Sequence, residues 1–403
     1  MTEPTADPAF PMARSCPFHP PEEYAELRAE RPITRVILPD GSKAWLLTSH
    51  EYVRRFLADP HTSVHRADPA YPALVPRPPV PVSNMQTRGF LTWMDPPEHT
   101  VHRRMVVSEF TVKRVHGLQP RVQEITDRCI DAMLAGDRPV DLVQALSLPV
   151  PLQVICELLG VPYERREMFD KCTRLMLNRN STAADRIGAR REVRQYLGEL
   201  VTEKDANPED DLLSRLVVKY RDAGIFDHEL LTGLAAALLI AGHETTANMI
   251  SLGVVGLLEN PEQLAALKAD HRLAGPAAEE LLRYWSIGEF STSRIATADI
   301  EIGGQLIRAG DGVIALNSAA NHDDRVFASP ERLDIRRDAR SQMAFGHGIH
   351  QCLGQNLARL ELEIVYTTLF SRIEGLRLTV PADELPFKAD ASFYGIYEVP
   401  VSW

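Results

Sequence analysis

One helix-patterned segment constrains this chain more than any other. Residues 229–259 run apolar with helical spacing, relieved only by Thr232-Gly233 and by Gly242-His243-Glu244-Thr245-Thr246. At 1.5 Å per residue such a helix is about 45 Å long, enough to cross a whole molecule. Asp227 is placed to cap its start, and Asn260-Pro261 to end it. Its most apolar part, Leu230 to Ala241, is interrupted and then followed by His243 and Glu244, which makes it too short to span a bilayer.

Helical periodicity recurs at 118–134, 189–202, 261–269, 277–285 and 353–370. Strand patterns appear at 34–38, 44–48, 300–302, 313–316 and 377–380. Helices dominate the middle and strands sit towards the ends without β-α alternation, so the expected class is mainly α with small β sheets. The proline-rich 60–93 stretch reads as a long functional loop, and 203–211 as a polar break between helices. On length alone, 403 residues would allow two or three domains.

The net charge of −11 argues against nucleic acid as the main partner. Five scattered cysteines, Cys16, Cys129, Cys156, Cys172 and Cys352, fit a reducing cytoplasm better than a disulfide framework. Residues 1–21 carry no targeting pattern, so a soluble, unanchored protein is expected.

In Phe345-Gly346-His347-Gly348-Ile349-His350-Gln351-Cys352-Leu353-Gly354, one cysteine stands between glycines just before a helical run. A thiolate there would meet free N–H groups and the positive end of the helix dipole. Gly348 and Gly354 would let a flat ligand lie close to the backbone. That arrangement suits an axial ligand to haem iron. A lone Cys352 would more often be a buried structural thiol. A zinc site from His347, His350 and Cys352 would need a fourth ligand that the local sequence lacks.

The polar run inside the long helix is poor helix chemistry. Glycine costs about 1 kcal/mol there, and threonine is a weak helix former. Such conflicts mark functional sites. The Thr245 hydroxyl can bond the carbonyl four residues back and loosen the ladder. A small residue at Gly242 makes room for a ligand, and Glu244 with Thr245 can pass protons. A solvent-facing stripe is the bland alternative, opposed by the flanking Leu238, Leu239, Ile240 and Met249. His243-Glu244 opens a metalloprotease-like pattern that Ala247 breaks. Glu280 and Arg283, three apart, would usually be a weak surface pair. His99 and Arg103, four apart after Pro96-Pro97, would share a helix face.

Taken in order along the chain, these segments resemble the cytochrome P450 family. The cysteine segment matches Phe-x-x-Gly-x-x-x-Cys-x-Gly at every fixed position, and Asp95-Pro96-Pro97-Glu98-His99 is similar to bacterial members. The resemblance implies a single triangular domain over 1–403, with 1–20 an N-terminal extension. It implies haem b between the long helix and the Cys352 helix. Cys352 would ligate the iron, with Phe345, Gly354, Ala241 and Gly242 also against the haem. His99, Arg103, Arg294 (just before an expected strand at 295–302) and His350 would hold the propionates. Glu280 and Arg283 would form a buried pair completed by Arg332, with Leu333 where the family often has Phe. Met85, Phe90, Leu175, Leu238, Leu239, Phe290, Ser291, Phe393 and Tyr394 would frame the substrate.

The implied reaction is monooxygenation of a bulky, oxygenated apolar molecule such as a macrolide, polyene or terpenoid, with Glu244 and Thr245 catalytic. No flavin or NAD fingerprint is visible. Electrons would come from a ferredoxin and its NAD(P)H reductase, docked near Arg103, Arg104, Lys113, Arg114 and Arg359. Partners would otherwise be O2 and substrate, with no nucleic acid or membrane, for a monomer in the cytoplasm. Haem-thiolate chemistry of another kind (phenol coupling, peroxygenase, nitric oxide reduction) and a haem-based sensor are the alternatives, separable by turnover with NADPH, ferredoxin and reductase.

Overall fold

The computed structural model describes residues 7–72, 74, 88–177, 181–289, 291–389, 391 and 393–403. Among them the helices are α1 (Glu23–Glu30), α2 (His50–Leu57), α3 (Glu98–Val107), α4 (Val112–Gly117), α5 (Gln119–Ala135), α6 (Pro149–Leu159), α7 (Arg166–Leu177), α8 (Ala183–Ala206), α9 (Leu212–Asp222), α10 (His228–Leu258), α11 (Pro261–Ala269), α12 (Ala274–Trp285), α13 (Asn317–Ala320) and α14 (Gln355–Arg372). The strands are β1 (Ile33–Ile37), β2 (Lys43–Leu47), β3 (Thr62–Ser63), β4 (Val140–Asp141), β5 (Ser293–Ala296), β6 (Ile300–Ile302), β7 (Gln305–Ile307), β8 (Gly312–Ala315), β9 (Arg377–Leu378) and β10 (Pro400–Ser402).

The long apolar segment folds as the molecule's axis. Asp227 caps α10 by accepting from the Leu230 N–H at 3.0 Å. Helices α6, α8, α12 and α14 pack around it. By length and composition α10 could cross a membrane, more than the interrupted run 230–241 promises, but 67% of its most apolar window lies inside the protein. The main core joins residues from Leu91 to Val401 and includes side chains of α5, α6, α8, α9, α10, α12 and α14. Two smaller clusters lie on the sheet side, around Trp45, Phe56 and Val313, and around Phe10, Tyr24 and Leu46.

Five strands form one sheet in the order β1-β2-β8-β5-β3, with β2 and β8 parallel and the other pairs antiparallel. Smaller sheets join β4-β10-β9 and β6-β7. The expected strand at 295–302 is two strands. After β5 the chain turns aside, with the Thr297 N–H donating to His61 O, and β6 pairs instead with β7 across Gly303-Gly304. Both glycines have positive φ, which that turn requires. Arg294 therefore lies within β5, opposite Val313, not before a strand. The polar break expected at 203–211 starts later, because α8 continues to Ala206.

Thr232-Gly233 interrupts the apolar pattern of α10 for a packing reason. A Cβ at Gly233 would lie 1.7 Å from the Arg88 carbonyl oxygen, and one at Gly89 would lie 2.4 Å from that of Leu230. The C-terminal end of the 60–93 stretch thus rests backbone to backbone on the long helix, and Arg88 pairs with the cap residue Asp227.

Candidate active site

Cys352 sits in a tight turn between the sheet side and α14. A short 3-10 turn, Gly348–His350, precedes it, and α14 starts at Gln355 with Gly354 as its cap residue. The Cys352 N–H donates to the Phe345 carbonyl at 2.8 Å and fixes the turn. Gly346 and Gly348 both have positive φ. A Cβ at Gly348 would fall 2.1 Å from the Leu57 carbonyl, so this glycine serves the contact with the end of α2 rather than a ligand. A Cβ at Gly354 would meet nothing within 4 Å, so the space beside the turn is open there. Burial pushes the Cys352 thiol up, while the Gly354 N–H, Arg103 and Arg359 pull it down.

Four basic side chains from three distant segments gather on this side. His99 on α3 is buried and its ring centroid lies 4.2 Å from that of His350. Arg103, one turn on, donates to the Gln351 carbonyl at 2.6 Å. Arg294 on β5 is 6% exposed and, among the described residues, donates only to the adjacent Ser293 carbonyl, at 2.8 Å. Burial and neighbouring charge act together here. Burial, Arg103 and Arg294 hold His99 down to about 4 against the pull of Asp95. Burial, Arg294, His99 and Arg103 hold His350 down to about 2. Burial also lowers Arg103 and Arg294. Asp95, which pulls on His99 and Arg294, is occupied by the Ser63 hydroxyl and the Val64 N–H. Among the described residues none of the four makes an ion pair, and His99 Nε2 is sealed without a hydrogen-bond partner.

Across the molecule, the middle of α10 stays an unbroken α-helix. The Thr245 hydroxyl donates to the Ala241 carbonyl at 2.6 Å, four residues back, without loosening the helix. Ala241 is exposed within a helix that is otherwise mostly buried. A Cβ at Gly242 would press on Ile155 of α6 at 3.1 Å, so the glycine lets α6 approach. Glu244 is buried, and its Oε1 lies 3.0 Å from Lys388 Nζ.

The sequence profile of the family described as Cytochrome P450 matches residues 163–387. The chain is 47% identical over 400 residues to the vitamin D3 dihydroxylase of Streptomyces griseolus, covering 99% of this chain and 98% of that one. It is 47% identical over 408 residues to the pentalenic acid synthase of Streptomyces avermitilis, covering 100% of both. The crystal structure of cytochrome P450 MoxA from Nonomuraea recticatena superimposes with a TM-score of 0.92 at 50% identity, over 98% of each chain. The chain belongs to the cytochrome P450 family.

It is a bacterial cytochrome P450 with the P450 fold, a monooxygenase whose haem iron is held by a cysteine thiolate, and it needs O2 and redox partners. The residues present fit that haem. Two propionate carboxylates would supply the counter-charge for the unpaired basic cluster and a partner for the sealed His99 Nε2. Open space lies at Gly354, next to the cysteine. Among the described residues no three His, Cys, Asp or Glu side chains converge as a metal-holding group, so His347, His350 and Cys352 do not form the alternative zinc site.

Several expected site residues lie elsewhere. The carboxylate of Glu280 is completed by Arg337, whose Nε donates at 3.1 Å, while Arg332 is exposed and contributes only its carbonyl to Arg283 and Arg337. Leu239 is fully buried on the core side of α10 and does not face the site. Tyr394 donates to the Pro17 carbonyl at 2.7 Å and stacks on Phe387, anchoring the N-terminal segment rather than lining a cavity. Of the basic residues expected to meet a redox partner, Arg103 is turned inward to Gln351 and Arg359 to Glu279. Phe90, Leu175, Leu238, Ser291 and Phe393 remain partly or fully exposed. Met85 and Phe290 lie outside the described residues.

Sequence reasoning missed Arg337, Lys388 and Asn248. Arg337 stands in an Arg336-Arg337 pair five residues past the favoured Arg332, and nothing local ranks the three. Lys388 is more than 100 residues from its partner Glu244, beyond any helical or hairpin spacing rule.

Proposed function

We propose that Cys352 is the thiolate ligand and that His99, Arg103, Arg294 and His350 hold the propionates of haem b. The observation carrying this is the cluster of four unpaired basic groups beside the one cysteine that stands in an open turn at a helix start. Haem, when bound, supplies O2 activation and oxygen insertion. The chain's own part is to place the cysteine, balance the propionates, exclude water and move protons. Thr245 and Glu244 are the proton-handling pair. Positioned proton transfer contributes typically ~10²–10⁴ in rate.

The substrate in this reading is a bulky apolar secondary metabolite that carries oxygen functions, as a macrolide, polyene or terpenoid does. Accessible positions on α10, Ala237, Leu238, Ala241 and Thr245, recur at helical spacing and are almost all apolar. A cation stands on α8, the helix packed against α10: Arg190. It lies one turn before Arg194 on α8, and Arg194 reaches Glu229 on α10 at 2.7 Å. Arg190 is half-buried, makes no hydrogen bond or ion pair among the described residues, and is lowered by burial alone. A cation in that state suits an oxygen on an otherwise apolar substrate.

Electrons come from a small acidic ferredoxin and its NAD(P)H reductase. Exposed Arg104, Lys113 and Arg114 support this, with the exposed apolar Val107, Val112 and Ile349 beside them on α3, α4 and the cysteine turn. The protein acts in the cytoplasm as a monomer, and the core shared from Leu91 to Val401 supports one working domain.

The test is spectral first and catalytic second. Cys352→Ser should abolish the red-shifted Soret band of the reduced CO complex, and survival of that band would overturn the assignment. NADPH, ferredoxin and reductase should then support hydroxylation of a substrate found by its Soret shift. Soret-active metabolites that are never oxygenated would favour a sensor instead.

A further inference from the structure

The carboxylate of Glu244 does not stand free on α10. Its Oε1 lies 3.0 Å from Lys388 Nζ, and both side chains are buried. Lys388 Nζ also donates to Asn248 Oδ1 at 2.9 Å, one helical turn further along α10. It lies 5.4 Å from the centroid of the Tyr397 ring. The second carboxylate oxygen, Glu244 Oε2, and Asn248 Nδ2 have no hydrogen-bond partner among the described residues. One oxygen of the acid is therefore held in place, and the other is buried with no partner among the described residues.

Lys388 belongs to a small C-terminal hairpin. Its N–H donates to the Gly395 carbonyl at 2.8 Å, Phe387 pairs with Ile396, and the Tyr397 N–H donates to the Pro386 carbonyl at 2.9 Å. A Cβ at Gly395 would lie 2.3 Å from Asn248 Oδ1, so the hairpin backbone presses directly on α10 where Lys388 is bound. The closed end of the same hairpin carries Phe393, which is half-buried and faces Gly288.

We propose that Lys388 is the positioning residue for proton delivery, fixing one oxygen of Glu244 so that the other hands protons on, and tying that geometry to the hairpin that bears Phe393. Substrate seated against the hairpin and the readiness of the acid are then one mechanical unit. A buried lysine–carboxylate pair is weak evidence of a purely stabilising role, since such pairs often balance only their own desolvation. A connection between the hairpin bearing Phe393 and a functional acid is a reason to keep one. This inference rests on the proton-handling reading of Glu244.

Lys388→Met removes the charge while keeping much of the side-chain length. Haem content and the substrate-induced Soret shift should stay within about twofold of wild type. Product per NADPH should fall at least fivefold, the balance of O2 leaving as hydrogen peroxide with two electrons and two protons. The solvent isotope effect on turnover should rise, and Lys388→Arg should restore most of the coupling. In the haem-free chain, hydrogen exchange of the 387–397 backbone should quicken in Lys388→Met. Asn248→Ala leaves the ion pair in place, so it folds even if Lys388→Met does not, and it should shift coupling in the same direction by a smaller factor.

Unchanged product per NADPH in Lys388→Met, or in Asn248→Ala where the former does not fold, overturns the proposal. So does an equal loss on adding Lys388→Met to Glu244→Gln, because a residue acting through Glu244 has nothing left to position there. If instead Glu244→Gln alone keeps both the wild-type turnover rate and the wild-type coupling, the proton-handling reading itself has failed, and that outcome is distinct from the other two.

Discussion

Two charge clusters in this protein use the same kinds of side chain to opposite ends. Around Glu280 every polar atom has its partner. Oε2 accepts from Arg283 Nε at 2.7 Å, and Oε1 accepts from Arg283 Nη2, the Asp334 N–H and Arg337 Nε at 2.8, 3.0 and 3.1 Å. Arg283 Nη1 donates to the Asn321 and Pro330 carbonyls, both at 2.9 Å. Around Cys352, His99, Arg103, Arg294 and His350 repel one another, and Asp95, the carboxylate that pulls on His99 and Arg294, is already bonded to Ser63 and Val64. A buried charge that is complete within the chain serves the fold. A buried set of one sign that is incomplete marks where a ligand of the other sign belongs.

The largest expected effect breaks the complete cluster. Glu280→Ala leaves Arg283 buried without a counter-charge and should cost about 3–5 kcal/mol in denaturant unfolding, enough to lose soluble protein. A cost below about 1 kcal/mol would erase the distinction between the clusters. Next, Arg337→Ala should cost about 2–3 kcal/mol as a charged hydrogen-bond partner lost from a buried acid. Arg332→Ala should change stability by less than about 0.5 kcal/mol. The reverse order would return the third place in the cluster to Arg332.

His322 reports on the complete cluster through pH. Burial, with Arg283 next, lowers it to about 3, well below the ordinary histidine value of 6.5. Its neutral form is the one the fold holds. The stability it contributes is fully present above pH 6.5 and drains away as pH falls through that value towards 3. At pH 5 the loss should be about 2 kcal/mol relative to pH 7, and His322→Gln should flatten that part of the unfolding profile. A mutant with the wild-type slope would show that His322 is already relieved by another partner.

The smallest stability effect belongs to the incomplete cluster. In the haem-free chain Arg294→Met removes one of several mutually repelling groups and should leave the unfolding midpoint unchanged or slightly raised. The same variant should bind haem at least tenfold more weakly, about 1.4 kcal/mol. A haem-free protein that unfolds readily on losing Arg294 would place it with Glu280 instead.

Much of the fold was readable along the chain. The span of α10, its Asp227 cap and the start of α11 at Pro261 follow from periodicity and capping, because they depend on residues within a few positions of one another. The cysteine turn was readable for the same reason. Its glycines, though, carried two meanings. Gly242 and Gly348 answer to Ile155 and to the Leu57 carbonyl, neighbours that no local pattern could name.

What the sequence determined by itself was the local backbone and the kinds of chemistry available: one long helix, one cysteine poised at a helix start, and an excess of basic groups at intervals. Only the tertiary structure decided which of these meet. Arg337 rather than Arg332 reaches Glu280, Lys388 crosses 144 positions to Glu244, and Tyr394 turns from the site to Pro17. The reason is physical. Helix and strand formation are governed by interactions over a few residues, whereas pairing of buried charges is settled by desolvation and direction in the assembled core, where a shift of one residue moves a side chain about 100° around a helix.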